Sequence, residues 1–187
     1  MASLARTVTG ALLLGLFAAT AVSADQAPSR TTEPAPDWVT ATWTSLVGTW
    51  VADNTAFKTG TDDDDAYGLE WSWGLGRRTL VGRLYGLRQG RESATYWEFR
   101  EFWHPGEGHL VTTQFGGNGT YGVGPHERRA DGTLEMLQTF YDPQAGTTRR
   151  IGHRARLEGD VHTTTSYSIG DDGAWTEQRT FVWKRQR

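Results

Sequence analysis

The residues best suited to chemistry fall in one segment near the middle of the chain. Residues 94–103 read ATYWEFREFW, which places two carboxylates and a guanidinium among aromatic rings. A carboxylate enclosed by apolar groups has a raised pKa and becomes a candidate general acid or base. Glu98 and Glu101 are therefore candidate acid/base groups, with Arg100 and His153 as candidate partners. Alternatively, these charges face outward and pair across neighbouring strands.

Large aromatic side chains accompany these charges and alternate with polar residues, as they do along a strand. A cavity lined by aromatic rings with a few polar groups is the usual small-molecule site. The same rings could instead fill a solid core, and the alternation along residues 94–103 does not decide which face points inward. The candidate ligand-binding residues are Trp71, Trp73, Trp97, Phe99, Glu101 and Trp103.

The sequence offers no local metal or cofactor motif. The five histidines, at positions 104, 109, 126, 153 and 162, form no i,i+2 or i,i+4 pair, and the chain has no cysteine. Zinc sites usually draw on such spacings, and no phosphate-binding or dinucleotide fingerprint is present. The acidic run 62–65 lacks the spaced ligands of a calcium loop and is more typical of a solvated tip. We therefore expect no metal and no cofactor.

The elements that must position these residues are strands. From residue 67 onward, apolar and polar residues alternate in segments that recur at roughly 8–14-residue spacing, separated by turn signals such as residues 116–119. Short hairpins favour a meander, and closing the sheet removes its two exposed edges. The sequence predicts an all-β fold, an antiparallel up-and-down barrel of about 8–10 strands.

A short helix is expected to precede the first strand. Asp37 follows a proline and can begin a helix through residue 46. The helix would lie across one barrel opening and lead into the first strand at Gly48. Trp50 lies two residues further along and is expected to close the floor of the barrel, because it points to the same face as Gly48.

The first residues have the pattern of an export signal. Residues 1–24 carry Arg6, an apolar run and small residues before Asp25, which is typical of a signal peptide. The apolar run is short for a membrane span, which needs about 20 residues. We predict a signal peptide over 1–24, a flexible leader over 25–36 and a barrel domain over 37–187. The expected location is periplasmic or secreted, with no membrane span.

Charge argues against one class of partner. The 187 residues include 19 Lys and Arg against 22 Asp and Glu, for a formal net charge of −3. Nucleic-acid-binding proteins are usually basic, so a nucleic-acid partner is not expected. The expected partner is a small-molecule ligand, and the oligomeric state is left open.

The Gly48-x-Trp50 segment after a short helix, the meander layout and an arginine in the last strand resemble the calycin superfamily, specifically lipocalin-like bacterial barrels. In such barrels a C-terminal Arg or Lys stacks on the Gly-x-Trp ring. The resemblance implies a structural trio of Gly48, Trp50 and Arg179, with Lys184 and Arg185 as alternatives to Arg179. It also implies one open mouth and a ligand cavity.

Three functions follow for such a barrel. The first is binding of a small, partly apolar or aromatic molecule in the cavity. The second is a cofactor-free enzyme, an isomerase, lyase or hydrolase, that uses Glu, Arg and His groups in the same cavity. The third comes from the resemblance alone, because some lipocalin-like bacterial barrels bind haem through one histidine, here His153.

Overall fold

A computed structural model describes residues 34–61 and 63–187. Within these residues the chain forms one α-helix, two short 3-10 turns and ten strands. Residues 1–24, the predicted signal peptide, and most of the predicted leader lie outside the described part, so those boundaries stay predictions. No helix in the described part is long and apolar enough to cross a membrane.

The helix and strands follow one another in simple order. The elements are α1 Asp37–Leu46, β1 Gly48–Asp53, β2 Ala66–Trp73, β3 Thr79–Arg88, β4 Arg91–His104, β5 His109–Gly116, β6 Tyr121–Arg128, β7 Leu134–Asp142, β8 Thr147–Glu158, β9 Val161–Ile169 and β10 Trp175–Arg185. Each strand pairs antiparallel with the next, and β10 pairs with β1 to close the barrel. The prediction of an antiparallel meander barrel with a short N-terminal helix is confirmed.

Alternation along the strands sets which side chains face the interior. Residues that pair across two strands point to the same face of the sheet, so the inner face can be followed from strand to strand. The pairs Trp50–Leu69, Leu80–Glu101 and Glu101–Thr112 lie on this face. On β6 the inner positions before His126 are glycines. A Cβ at Gly124 would lie 1.9 Å from the carbonyl oxygen of Leu137, and one at Gly122 would lie 2.7 Å from the Phe140 ring, so β6 has no space for side chains at these two positions.

The helix covers one end of the barrel. Val39, Trp43 and Leu46 of α1 are buried and belong to the same apolar cluster as Trp50 and Trp183. The Trp50 side chain is 0% exposed, and its indole N–H donates to the carbonyl of Leu46 at 2.7 Å. This hydrogen bond ties the last turn of the helix to the first strand, and the Trp50 ring closes this end.

The arginine that stacks on Trp50 is Arg185, so the assignment of Arg179 to this place is wrong. The guanidinium of Arg185 lies 4.1 Å from the centre of the Trp50 ring, because β1 and β10 pair Trp50 with Arg185. Arg179 lies six positions earlier on β10, which is about 20 Å along a strand. Gly48 fits its expected role, because a Cβ there would lie 2.9 Å from Nη1 of Arg185.

Candidate functional site

Glu101 is the most deeply buried carboxylate on the described strands. Its side chain points into the barrel from β4, and the residue is 6% exposed. The indole N–H of Trp43 donates to Oε2 at 2.9 Å, and the hydroxyl of Thr112 lies 3.3 Å from Oε1. Burial raises the pKa of Glu101 to about 7, although both hydrogen bonds act to lower it. Near neutral pH this carboxyl can both give and take a proton.

Thr112 connects Glu101 to His126. Its Oγ1 lies 2.5 Å from Nε2 of His126, and a hydroxyl can donate to one neighbour while accepting from another. Burial lowers the pKa of His126 to about 3, with a smaller effect from His153, so the ring is neutral at pH 7. Nδ1 of His126 has no hydrogen-bond partner among the described residues. The carboxyl is thus linked through one hydroxyl to Nε2 of an imidazole whose Nδ1 is still available.

His153 faces the interior from β8. Its Nδ1 lies 3.2 Å from the hydroxyl of Ser166 on β9, and burial lowers its pKa to about 4. Its Nε2 is buried without a partner in the described part of the chain, as is the indole nitrogen of Trp71. Buried polar atoms ordinarily find a partner. Unmet groups on an inner face indicate that water or a bound molecule meets them.

A pair of glutamines extends the polar layer. Nε2 of Gln114 on β5 donates to Oε1 of Gln138 on β7 at 2.8 Å. Gln138 is fully buried and also donates to the carbonyl of Thr112. The two side chains meet over the glycines of β6, which lie between them in the wall. A middle layer of carboxyl, hydroxyl, amide and imidazole groups therefore runs along the inner wall from β4 to β9.

The other end of the barrel has a different lining. Arg179 faces inward here, with the Phe57 and Phe181 rings each 4.1 Å from its guanidinium and the Tyr67 ring 5.6 Å away. Its Nη2 donates to Oδ1 of Asn54 at 2.5 Å. A cation among aromatic rings is attracted by their electron-rich faces. This end therefore combines a positive charge with flat apolar surface.

Two residues of the acidic run, Asp64 and Asp65, make hydrogen bonds and ion pairs beside this end. The carboxylate of Asp64 accepts hydrogen bonds from Ser93 and Tyr96 and lies 3.6 Å from Arg88. Asp65 pairs with Lys58 at 2.5 Å. The prediction of a solvated tip is wrong for Asp64, which is buried. Among the described residues no three His, Asp or Glu side chains come together as a metal cluster.

The structure separates the predicted acid/base residues. Glu101 and His153 point into the barrel, whereas Glu98 and Arg100 occupy alternate positions on the outer wall. There they line an open groove of about 580 Å³ together with Glu70, Arg83 and Phe115. Side chains on opposite faces of a strand cannot share one cavity, so the structure does not bring Glu98 or Arg100 to the polar layer.

The predicted aromatic residues all lie on the inner face, at different heights. Trp71 packs against Phe99 with ring centres 5.4 Å apart, and Trp73 meets Trp43 of the helix edge-on at 6.2 Å. The Trp103 ring contacts Trp38 in the same way. The rings of Trp71, Trp73, Phe99 and Trp103 join the helix-covered cluster. Trp97 meets Phe140 instead, at 5.7 Å.

Several residues of the polar layer escaped the sequence reasoning. They are Trp43, Thr112, Gln114, His126, Gln138 and Ser166. One signal for His126 was present, because residues 122–126 read GVGPH and place the histidine in phase with two glycines. The threonine and the glutamines carry no motif, and only the strand register brings them to Glu101.

Comparison with known proteins adds no assignment. No protein-family model matches the chain, and no curated protein matches its sequence significantly. The closed ten-strand antiparallel barrel is consistent with a calycin or lipocalin-like fold.

Proposed function

We propose that this protein binds a small, partly apolar or aromatic molecule inside its barrel. The observation that carries the proposal is the polar middle layer, where buried nitrogens of His126 and His153 lack partners in the described residues, as does the indole nitrogen of Trp71 on the inner face of β2. Aromatic rings adjoin this layer, as in most small-molecule sites. The rings would bury the flat part of the ligand, and the unmet nitrogens would orient its polar groups.

A fluorescent reporter tests binding directly. N-phenyl-1-naphthylamine is small, aromatic and neutral, and it gains fluorescence when it leaves water. We expect saturable binding at micromolar concentrations and a several-fold weaker affinity in His153→Leu. His109→Leu is the matched control, because His109 lies beside Glu107 near the β4–β5 turn. Absence of saturable binding to this and to a panel of indole and naphthalene derivatives would contradict the proposal.

A second candidate function is acid/base catalysis in the same interior, without a cofactor. The buried carboxyl of Glu101, linked through Thr112 to His126, favours it. A pKa near the working pH suits a group that transfers protons. The carboxyl resonance of Glu101 should titrate with an apparent pKa near 7 in carbon-13 NMR. For any turnover found, Glu101→Gln should abolish it while ligand binding remains.

We further propose that the barrel works outside the cytoplasm, in the periplasm or beyond the cell. The signal-like composition of residues 1–24 supports this. Expression of the full chain in a bacterial host should yield an exported product whose N-terminus is Asp25. Intact mass of the exported protein measures the cut, and retention of the full mass in the cytoplasm would contradict the proposal.

A further inference from the structure

Arg179 is a half-buried cation on the inner wall of the end opposite the helix. Phe57 and Phe181 lie on the guanidinium at the same distance of 4.1 Å. Such contacts restrict the plane of the guanidinium and leave its edges for hydrogen bonds. The position is therefore suited to a planar, directional contact with an anion.

The charge of Arg179 is not balanced by an acid in the described part of the chain. No carboxylate of that part lies within ion-pair distance of it, although ten ion pairs of Arg or Lys occur elsewhere in that part. Its one described hydrogen bond goes to the neutral amide of Asn54, and Nε has no described partner. A partly buried charge without a counter-charge is costly.

The acid beside Asn54 is engaged elsewhere. Asn54, which contacts Arg179, also donates to the backbone carbonyl of Asp64. The Asp64 carboxylate itself turns to Ser93, Tyr96 and Arg88. The segment between β1 and β2 therefore brings an acid into the neighbourhood of Arg179 without pairing the two charges. The guanidinium remains available to an incoming anion.

We infer that Arg179 recognises an oxyanion, a carboxylate or a sulfonate, on the ligand that the barrel binds. The inference deepens the proposed function and depends on it. A guanidinium binds such groups through two parallel N–H···O hydrogen bonds. The flat rings of Tyr67 and Phe181 lie beside it and provide apolar surface for an aromatic body next to the anionic group. The ligand class is an aromatic monoanion.

Two probes that differ in one group test the inference. The compound 8-anilinonaphthalene-1-sulfonate is N-phenyl-1-naphthylamine with an added sulfonate. The wild-type protein should bind the sulfonate probe at least tenfold more tightly than the neutral one. Hydrogen bonds between charged groups commonly contribute effects of about tenfold to a hundredfold. Fluorescence titration at fixed ionic strength gives both dissociation constants.

Variants assign the effect to one side chain. Arg179→Met should weaken the affinity for the sulfonate probe by about tenfold or more. It should change the affinity for the neutral probe by less than about threefold. Arg179→Lys keeps the charge and should retain part of the preference. Arg150→Met is the matched control, because it removes the same charge from an exposed position on the outer face of β8. It should leave both constants unchanged.

The outcomes separate the inference from the function on which it depends. Equal affinity of the wild-type protein for the two probes, or equal weakening of both by Arg179→Met, would overturn the role of Arg179 and leave lumen binding standing. Absence of saturable binding by both probes and by the indole and naphthalene derivatives would overturn both. If circular dichroism shows that Arg179→Met does not fold, the wild-type preference and Arg179→Lys still decide. A wild-type protein that does not prefer the sulfonate probe by tenfold is sufficient to reject the role.

Discussion

Arg179 and Arg185 lie on the same face of the same strand and are stacked on aromatic rings at the same distance, 4.1 Å. Their polar surroundings differ. Arg185 donates to the carbonyls of Val47 and Ser45 and pairs with Asp160. Arg179 donates to one amide, that of Asn54. The ring on which an arginine stacks therefore does not define its role. The hydrogen-bond partners of its N–H groups do.

The same contrast extends to the two ends of the barrel. The helix-covered end places Trp43, Trp50 and Trp183 in one buried cluster. At the other end, Phe57 is 55% exposed beside Arg179. Stability should therefore depend mainly on the first end, and ligand affinity on the second.

The largest effect is expected at Trp50. Trp50→Ala removes a fully buried ring and the hydrogen bond to Leu46, and large-to-small changes of this kind cost about 3–5 kcal/mol. Trp97→Ala, in a half-buried ring outside the helix-covered cluster, should cost less than half as much. Urea denaturation of both variants measures the free energy of unfolding. Equal losses would show that the two ends contribute alike.

The next effect concerns pH and Glu101. Burial raises the pKa of Glu101 from its ordinary 4.5 to about 7, so the folded protein holds this proton more tightly than the unfolded chain does. The resulting stability is complete below pH 4.5 and is lost as pH rises through 7. At about 1.4 kcal/mol for each pH unit of that interval, the loss approaches about 3 kcal/mol.

The buried histidines act in the opposite direction. Burial lowers the pKa of His126 to about 3 and those of His153 and His162 to about 4. Their contribution to stability is therefore complete above pH 6.5 and is lost as pH falls through 4 and then 3. Glu101→Gln removes only the loss of stability that the Glu101 carboxyl causes as pH rises. Its unfolding free energy, measured in urea from pH 4.5 to 7.5, should therefore rise more steeply with pH than that of wild type. Parallel curves would contradict burial of the carboxyl.

A smaller effect separates the two arginines. Arg185→Met leaves the carbonyls of Val47 and Ser45 without their donor and should cost about 1–3 kcal/mol of unfolding free energy. Arg179→Met should cost less than about 1 kcal/mol, because it removes one hydrogen bond and an unbalanced charge. Thermal and urea unfolding give both values. A larger loss for Arg179 would make it the structural arginine.

The smallest effect is expected at Phe57. Phe57→Ala removes a mostly exposed ring, and a cation–π contact at such a site contributes about 0.5–1 kcal/mol. The loss of unfolding free energy should stay within that range, while affinity for the sulfonate probe falls about two- to threefold as the guanidinium loses one restraint. Leu75→Ala, at another exposed position in a turn, should change neither quantity.

The fold was predictable because the sequence features that specify it are local. Two-residue alternation and glycine-rich turns recur along the chain, and closure follows from the need to hide two sheet edges. The helix before β1 was predictable for the same reason, since its apolar residues Val39, Trp43 and Leu46 lie three or four positions apart. Each of these features can be seen within about a dozen neighbouring residues.

The site depends on information that is not local. Both faces of residues 94–103 carry aromatic and charged side chains, so only the pairing of Glu101 with Leu80 and Thr112 shows which face is inside. The sequence does not show that Arg185, and not Arg179, stacks on Trp50, because the register between the first and last strands has no signature in it. His126 was overlooked as one histidine among five, although its phase with Gly122 and Gly124 marked the inner face.

The seam between β1 and β10 has a consequence for biosynthesis. It joins Trp50 to Arg185, so the barrel closes only when strands at the two extremes of the domain meet. A nascent chain that still has β10 inside the ribosome exposes open edges on β1 and β9, where another polypeptide can add. Closing so long a loop is slow compared with forming hairpins. We therefore expect the hairpins to form during synthesis and the ring to be completed only after β10 has emerged, an interval in which a chaperone or an export factor has access to the unpaired edges.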